Sequence, residues 1–233
     1  MLKRAIVAFA LAGFPFGALA AQEEAGALPS ATAEQFTPVN FNLNEDRDNI
    51  LVLDLSNGRR VAIRLVPQWA PAHVERIKTL ARQGFYNGVV FHRVIDGFMA
   101  QTGDPTGTGQ GGSPLPDLAA EFNVQPHVRG TVSMARAEAE NSANSQFFIV
   151  FYPRFSLDRR YTNFGRVISG MDAVDTIERG EPAANPTRIV QASLASENKP
   201  VPAPQPTLQQ TITPGDLNAP IGTTQNATLP PER

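Results

Sequence analysis

The dipeptide Asn57-Gly58 limits what this chain can fold into more than any other feature, because it separates two apolar runs, Ile50 to Leu55 and Arg59 to Val66. A two-residue hairpin turn needs positive φ at both central positions, which Asn and Gly tolerate better than other residues. The pattern therefore predicts a β-hairpin in which the two runs pair as antiparallel strands.

Other short apolar runs follow along the chain, and each is bounded by residues that favour turns. They predict strands at Val89 to Ile95, which we expect to be the central strand, and at Gly130 to Ala135, Ser145 to Val150, Asn163 to Ile168 and Arg188 to Leu194.

Two segments have helical periodicity instead. The first is Ala70 to Gln83, with a proline in its first turn and a glycine just past its end, and the second is Met171 to Arg179. Many short strands with only two helices favour a closed antiparallel β-barrel over alternating βαβ units.

The first twenty residues have the pattern of a secretory signal peptide. Lys3 and Arg4 supply the positive end, Ala5 to Leu19 the apolar stretch, and Ala18 to Ala20 a small-residue cleavage site. A membrane anchor is the alternative, but the run is interrupted by Gly and Pro and is short for a span of ~20 residues. We expect cleavage after Ala20, export to the periplasm and no stable membrane anchor afterwards.

The rest of the chain divides by composition into three parts. Residues 21–49 are mixed and polar and are expected to be an N-terminal linker, with an extra strand around Phe36, Val39 and Phe41 as the alternative. Residues 50–195 form the predicted domain. Residues 196–233 are rich in proline and predict a disordered tail, which could be a spacer, a ligand for another protein or a solvated tail without a partner.

Charge and composition exclude several classes of function. The net charge of −2 gives no reason to expect a nucleic-acid partner. The absence of cysteine rules out disulfides, thiol catalysis and zinc-thiolate sites. His73 and His92 are two of only three histidines and match no metal-binding spacing, so we expect no metal and no cofactor.

The glycines at 107, 109 and 112 match the spacing of a dinucleotide-binding loop, GxGxxG. Such a loop should open a helix, whereas Pro114 and Pro116 follow here. The segment is therefore interpreted as a surface loop that needs backbone freedom.

Two segments concentrate the side chains that could carry chemistry. Phe91 to Asp104 places Arg93 in an apolar strand pattern and continues through a turn at Asp96 and Gly97. In Ser145 to Val150, a period of two puts Gln146 and Phe148 on one face and Phe147 and Ile149 on the other. If the second pair faces a core, a guanidinium, two amides and several apolar side chains can share one groove.

These segments resemble the cyclophilin family of peptidyl-prolyl isomerases, whose FHR, GFM-Q-GD and SQFFI signatures are present almost complete. The likeness runs from about Leu51 to Ser193 and includes GTGQGG at Gly107 to Gly112, SMARA at Ser133 to Ala137 and FGRV at Phe164 to Val167. The resemblance implies a closed eight-stranded antiparallel barrel capped by two helices.

The resemblance also implies an activity and a set of site residues. It implies catalysis by Arg93 and proline-containing polypeptides as partners. The oligomeric state stays open, with a monomer as the default expectation. The substrate-binding positions that it implies are Phe98, Met99, Gln101, Gly109, Ala135, Arg136, Gln146, Phe148, Leu157 and Tyr161. The backbone at Ala135 and Arg136 is expected to pair with a bound peptide.

Three positions depart from many family members. Ser156 stands where many cyclophilins carry a tryptophan, although Phe155 could partly fill the gap, and the missing indole argues against tight cyclosporin binding. Tyr161 and Arg136 stand where eukaryotic members often have histidine and asparagine, which resembles the bacterial branch.

Two other functions are weighed against an exported isomerase. A binding module or chaperone could grip proline segments in the same groove without catalysis, but binding alone would not need Arg93. A serine hydrolase has little support, because the sequence has no GxSxG elbow and no histidine in a recognisable triad context.

Overall fold

The computed structural model describes residue 36 and residues 38–203. The predicted signal peptide and the part of the predicted Pro-rich tail beyond residue 203 lie outside this range. Within it, no helix has the length and apolar character needed to cross a membrane.

Eight antiparallel strands form one curled sheet in the order β3-β4-β6-β5-β7-β2-β1-β8. The strands are β1 (Ile50–Leu55), β2 (Arg60–Leu65), β3 (Arg93–Ile95), β4 (Met99–Thr102), β5 (Thr131–Met134), β6 (Phe147–Val150), β7 (Asn163–Ser169) and β8 (Ile189–Leu194). Two α-helices accompany the sheet, α1 (Pro71–Arg82) and α2 (Met171–Asp175). The mainly-β architecture with two helices is as predicted.

The first hairpin is confirmed, but its turn differs from the prediction. Strands β1 and β2 pair from Ile50 opposite Arg64 to Asp54 opposite Arg60. The Gly58 amide donates to the Leu55 carbonyl at 2.9 Å, and Gly58 has a φ of 78°. Asn57 is not in the positive-φ region, so the loop has three residues and only glycine carries the left-handed conformation.

The predicted closure of the barrel is not confirmed, because β3 and β8 stand at the two ends of the sheet order. Two isolated bridges, Val90 with Arg188 and Val94 with Gly180, connect these ends in place of a ladder. The chain that crosses the gap contains Pro182 and Pro186, which have no amide hydrogen to contribute to a ladder. The sheet is therefore open and curled.

The same region corrects the prediction of a central strand at Val89 to Ile95. The regular strand β3 covers only Arg93 to Ile95 and lies at one end of the sheet order. Its apolar character reflects burial against the core, since Phe91 and Val94 are almost fully buried. Burial alone does not distinguish a strand at the end of a curled sheet from a central one.

Helix α1 matches its prediction to within a residue at each end. Pro71 is its first residue, and its buried stripe includes Val74, Ile77 and Leu80. The carboxylate of Glu121, far away in sequence, accepts the free amides of Ala72 and His73 at 3.2 and 3.1 Å and so caps the helix N-terminus.

Helix α2 is shorter than predicted. After Asp175 the backbone forms tighter hydrogen bonds, from Thr176 to Ala173 and from Ile177 to Val174. The guanidinium of Arg179 donates to the Asp175 carbonyl at 2.7 Å, and this carbonyl would accept the Arg179 amide in a continued α-helix. The Arg179 side chain thus satisfies a carbonyl at the end of the helix. Helical periodicity in the sequence could not locate this end.

The segment assigned to a linker contacts the sheet where the structure describes it. Residues 38–49 contain no strand, and Phe36 and Phe41 are exposed, so the alternative of an extra strand is not observed there. Instead, the backbone of residues 40–46 surrounds the guanidinium of Arg64, which is 3% exposed. Four carbonyls, those of Asn40, Asn42, Glu45 and Asp46, accept its hydrogen bonds at 2.7 to 3.0 Å.

Candidate active site

The register of the sheet aligns the predicted site residues across three strands. Arg93 on β3 lies opposite Gln101 on β4, and Gln101 lies opposite Phe148 on β6. Side chains of directly opposed residues point to the same face of a sheet. Arg93, Gln101 and Phe148 therefore form one row on the outer face of the curl.

The opposite face of the same strands is the core. Phe147 and Ile149 are fully buried there with Val94, Ala100 and Val132. The division of the SQFFIV segment into a core face and a groove face is thus confirmed.

Next to the row lies a separate apolar cluster, which we call the apolar pocket. Met99, Phe148 and Val150 are its buried members. Five partly buried side chains pack around them, namely Ile95, Phe98, Ala135, Leu157 and Tyr161. The structure thus brings together the apolar side chains that the resemblance implied.

Two members of the apolar pocket, Ile95 and Val150, were missed. Each follows a predicted site residue at the strand period of two, Ile95 after Arg93 and Val150 after Phe148. Alternation along the strands could therefore have found both.

Phe155 does not replace the missing tryptophan. Its side chain is 63% exposed, and it is not part of the apolar pocket, although its neighbour Leu157 is. Ser156 is exposed as well. The rim of the pocket at this position is consequently open.

The two glutamines of the site are hydrogen-bonded to each other. The Gln101 amide donates to Gln146 Oε1 at 2.8 Å. Gln146 Nε2 donates in turn to the carbonyls of Gly109 and Gly111 at 3.1 and 2.8 Å. These bonds connect the row on the sheet to the glycine-rich loop, and so place Gly109 beside the site.

Asp104 holds that loop in place. Its buried carboxylate accepts the amides of Thr106, Gly109 and Gly111 and the Thr106 hydroxyl, at 2.6 to 3.1 Å. Burial by itself raises the pKa of Asp104, but the hydrogen bonds from Thr106, Gly111 and Gly109 outweigh it and lower the pKa to about 2. Gly109 has a φ of 84°, which agrees with a loop that needs backbone freedom.

Arg93 lies at the edge of the site with its side chain 40% exposed. Its Nε donates to Glu181 at 2.9 Å. Among the described residues, the two terminal guanidinium nitrogens have no hydrogen-bond partner. Glu181 therefore fixes one side of the guanidinium and leaves the other nitrogens able to donate.

The expected pairing of a peptide with the backbone at Ala135 and Arg136 stays a prediction. The Ala135 amide donates to the Gln146 carbonyl at 2.9 Å. This amide is therefore occupied and cannot pair with a peptide unless the bond breaks. Ala135 instead contributes its side chain to the apolar pocket.

A buried polar chain that sequence analysis missed lies beneath Phe148. Ser133 Oγ is 2.8 Å from His127 Nε2, and His127 Nδ1 is 2.8 Å from Asp158 Oδ1. The His127 ring stacks on Phe148 at a centroid distance of 6.5 Å. Ser133 and Asp158 are 25 residues apart in the sequence and come together only in the folded protein. No sequence pattern therefore predicted this series of hydrogen bonds.

This Ser-His-Asp arrangement does not support the serine hydrolase hypothesis. Ser133 is 0% exposed and His127 1% exposed, so a substrate cannot reach the hydroxyl. Burial lowers the pKa of His127, although the Asp158 carboxylate opposes that shift. The hydrogen-bonded side chains of Ser133, His127 and Asp158 therefore support the ring of Phe148 from below.

The histidines considered as metal ligands have other contacts. His73 Nδ1 lies 2.6 Å from Glu121, and burial lowers its pKa. His92 is buried beside Gly109, where burial lowers its pKa too. In the part of the chain that the structure describes, no group of three or more His, Asp or Glu side chains could hold a metal ion.

Residues 50–194 match the family model described as cyclophilin type peptidyl-prolyl cis-trans isomerase/CLD. The chain belongs to this family. It is also 49% identical over 170 residues to probable peptidyl-prolyl cis-trans isomerases of Brucella suis and Brucella melitensis, a match that covers 66% of this chain and 86% of each relative. The protein is therefore an enzyme of the cyclophilin type.

Solved cyclophilin structures have the same architecture. Cyclophilin AquaCyp293 from Hirschia baltica aligns with a TM-score of 0.61 at 31% identity, over 66% of this chain and 77% of its own. A cyclophilin-type isomerase of Cryptosporidium parvum, crystallised in the presence of the dipeptide Ala-Pro, aligns with a TM-score of 0.58 at 26% identity, over 62% of this chain and 98% of its own.

Proposed function

We propose that this cyclophilin is exported and accelerates rotation about Xaa-Pro bonds during the folding of exported proteins, with Arg93 as donor to the prolyl nitrogen. The observation that carries the proposal is the row of Arg93, Gln101 and Phe148 on one face beside the apolar pocket. It places a permanently charged donor next to a surface that can hold a proline ring.

The reaction needs no nucleophile and no proton transfer. Rotation through the perpendicular amide has a barrier of ~18–20 kcal/mol, because it breaks the resonance of the peptide bond. A turnover on the order of 10³ per second requires a barrier lower by ~7 kcal/mol, at about 1.36 kcal/mol for each tenfold. Groups that interact more strongly with the twisted amide than with the planar one can supply this difference.

Arg93 suits this task because the lone pair on the prolyl nitrogen localises as the amide twists. A donor held in advance at that nitrogen gains interaction energy only as the barrier is climbed. Glu181 supports this role, since it holds Nε at 2.9 Å and orients the guanidinium before substrate binds. The terminal nitrogens remain for the substrate.

The apolar pocket contributes in a second way. The planar amide is the more charge-separated form and loses more on desolvation than the twisted one. Met99, Phe148 and Leu157 supply an apolar floor for the proline ring. Gln101 can bind the flanking backbone, whereas both N–H groups of the Gln146 amide already donate to the carbonyls of Gly109 and Gly111 and hold the loop beside the site. The Ala-Pro dipeptide present with the Cryptosporidium relative supports proline-containing peptides as the substrate class.

The proposal of export rests on the N-terminal pattern. Lys3, Arg4, the apolar stretch to Leu19 and the small residues up to Ala20 are typical of a cleaved signal. Clients of the enzyme would then be other proteins that fold after export, in the periplasm.

The test is the cis-to-trans rate of a short Xaa-Pro peptide with the purified chain from residue 21, compared with Arg93→Ala. We expect the wild type to accelerate the reaction and the variant to lose about tenfold or more of kcat/KM, which is ~1.4 kcal/mol of transition-state stabilisation. Arg82→Ala, which removes an arginine from helix α1, is the matched control and should behave as the wild type. A folded wild type that accelerates no Xaa-Pro peptide would instead favour a proline-binding module.

A further inference from the structure

Two arginines are held against aromatic rings of the apolar pocket. The guanidinium carbon of Arg136 lies 4.9 Å from the centre of the Tyr161 ring, and that of Arg154 lies 5.2 Å from the centre of the Phe98 ring. Phe98 directly precedes β4, whereas Tyr161 lies shortly before β7. The two charges thus contact two different rings of the pocket.

Backbone carbonyls fix both guanidinium groups. Arg136 donates to the carbonyls of Arg160, Ala137 and Glu138 at 2.8 to 3.1 Å. Arg154 donates to the carbonyl of Gly97 at 3.0 Å. A guanidinium on an aromatic face with carbonyl partners has already lost much of its rotamer freedom.

Neither charge is neutralised by a carboxylate within the described part of the chain. The nearby acids have other positions: Glu181 pairs with Arg93, Asp158 accepts from His127, and Glu138 and Glu140 lie on the exposed loop after Arg136 without reaching its guanidinium. Elsewhere, arginines of the fold meet carboxylates directly, as in Arg59 with Asp172, Arg60 with Asp54, Arg82 with Asp48 and Arg129 with Asp175. Arg136 and Arg154 therefore have no direct carboxylate partner among these residues and can pair with an acidic ligand.

We propose that Arg136 and Arg154 give the isomerase a preference for proline segments in which an acidic side chain flanks the proline. The inference rests on the proposed function and specifies its substrate class. A carboxylate next to the proline would meet a guanidinium already in place, whereas a lysine there would be repelled. Because Arg154 is exposed and Arg136 is only half-buried, the preference should be modest and should weaken with salt.

The experiment measures kcat/KM for three matched peptides with Glu, Ala or Lys before the proline, and for three with the same residues after it. In the wild type at low salt we expect Glu peptides to exceed Lys peptides by about three- to tenfold on at least one side of the proline, with Ala between them. Raising the ionic strength from about 0.02 M to about 0.5 M should remove most of that ratio.

The two arginines are then separated by substitution. Arg136→Gln and Arg154→Gln should each lower the Glu-to-Lys ratio by about two- to fivefold, and the double variant should bring it near one. Arg136→Lys and Arg154→Lys retain the charge and should restore part of the preference. Arg82→Gln removes the same charge from helix α1 and should leave the ratio unchanged.

The outcomes separate this inference from the proposed function. Acceleration of all six peptides without a Glu-to-Lys difference would overturn the acidic preference and leave the isomerase proposal standing. Absence of acceleration would overturn both. A preference that survives in a folded double variant would show that other residues cause it, and circular dichroism of each variant establishes the folded state.

Discussion

Arg64 and Arg93 lie on the outer face of the same sheet, yet they differ in almost every physical respect. Arg64 is 3% exposed and gives four hydrogen bonds to backbone carbonyls, out of the five N–H groups that a guanidinium offers. Arg93 is 40% exposed and has a single carboxylate partner at Nε. Most N–H donors of Arg64 are therefore used within the protein, whereas Arg93 retains free N–H donors.

In these two arginines, the hydrogen-bond partners decide the role of the side chain more than its position in a strand does. Burial lowers the pKa of Arg64, while the carboxylates of Asp46 and Glu45 offset part of that shift. Such a group can only hold the segment 38–49 against the sheet. Arg93 holds little of the fold, and its unused nitrogens can serve a ligand.

The largest expected effect comes from Arg64→Met, which keeps the apolar stem and removes the donors. We expect a loss of about 2–4 kcal/mol in the free energy of unfolding, because four carbonyls lose a charged partner. The kcat/KM of the folded fraction should stay within about twofold, since Arg64 is not in the site. Urea unfolding measures the first quantity and a peptide assay the second.

Arg59→Met is the control for Arg64→Met. Arg59 makes an exposed ion pair with Asp172, and such pairs contribute about 0–1 kcal/mol. If Arg64→Met lowers the free energy of unfolding no more than Arg59→Met does, the hydrogen bonds from Arg64 to the carbonyls do not stabilise the fold. The contrast drawn between Arg64 and Arg93 would then be wrong.

Asp104 extends the comparison to a saturated carboxylate and should give an intermediate effect. Its pKa is about 2 in the folded protein against an ordinary 3.8, so its stabilisation is present above about pH 4 and is lost as the pH falls towards 2. We expect Asp104→Asn to cost about 1–2 kcal/mol at pH 7 and to weaken the fall of stability between pH 4 and pH 2. Unfolding curves across that range would show it, and equal slopes in both proteins would disprove the assignment.

The carboxylate of Glu181 has far fewer hydrogen-bond partners than that of Asp104, and its substitution should give the smallest effect. Its side chain is 51% exposed and meets only Arg93 in the described residues, so Glu181→Gln should change stability by less than ~0.5 kcal/mol. We expect kcat/KM to change by less than about threefold, because the guanidinium remains beside the pocket. A loss as large as that of Arg93→Ala would mean that orientation by Glu181 matters as much for catalysis as the guanidinium itself.

Much of the fold could be predicted because its signals are local. The hairpin of β1 and β2 follows from Asn57-Gly58, helix α1 from Pro71 and its apolar stripe, and the two faces of β6 from alternation. The open end of the sheet could not be predicted, since Val90 meets Arg188 only through the tertiary fold.

The site residues divide in the same way, into those with a local sequence signal and those that meet only in the tertiary fold. Motifs predicted that Arg93, Gln101 and Phe148 share a groove, but no strand was predicted at Met99–Thr102, which carries Gln101 and places it between the other two. Contacts between segments distant in sequence had no local signal. Examples are Arg93 with Glu181 and the chain from Ser133 through His127 to Asp158.

The most direct test of the role of Arg93 separates substrate binding from catalysis in Arg93→Ala. Nuclear magnetic resonance can measure both the affinity for an Xaa-Pro peptide and the cis–trans exchange rate of the bound peptide. We expect the affinity to change by less than about threefold and the exchange rate to fall by about tenfold or more, because Arg93 interacts mainly with the twisted amide. An affinity that falls as much as the rate, or an unchanged rate, would contradict this role of Arg93.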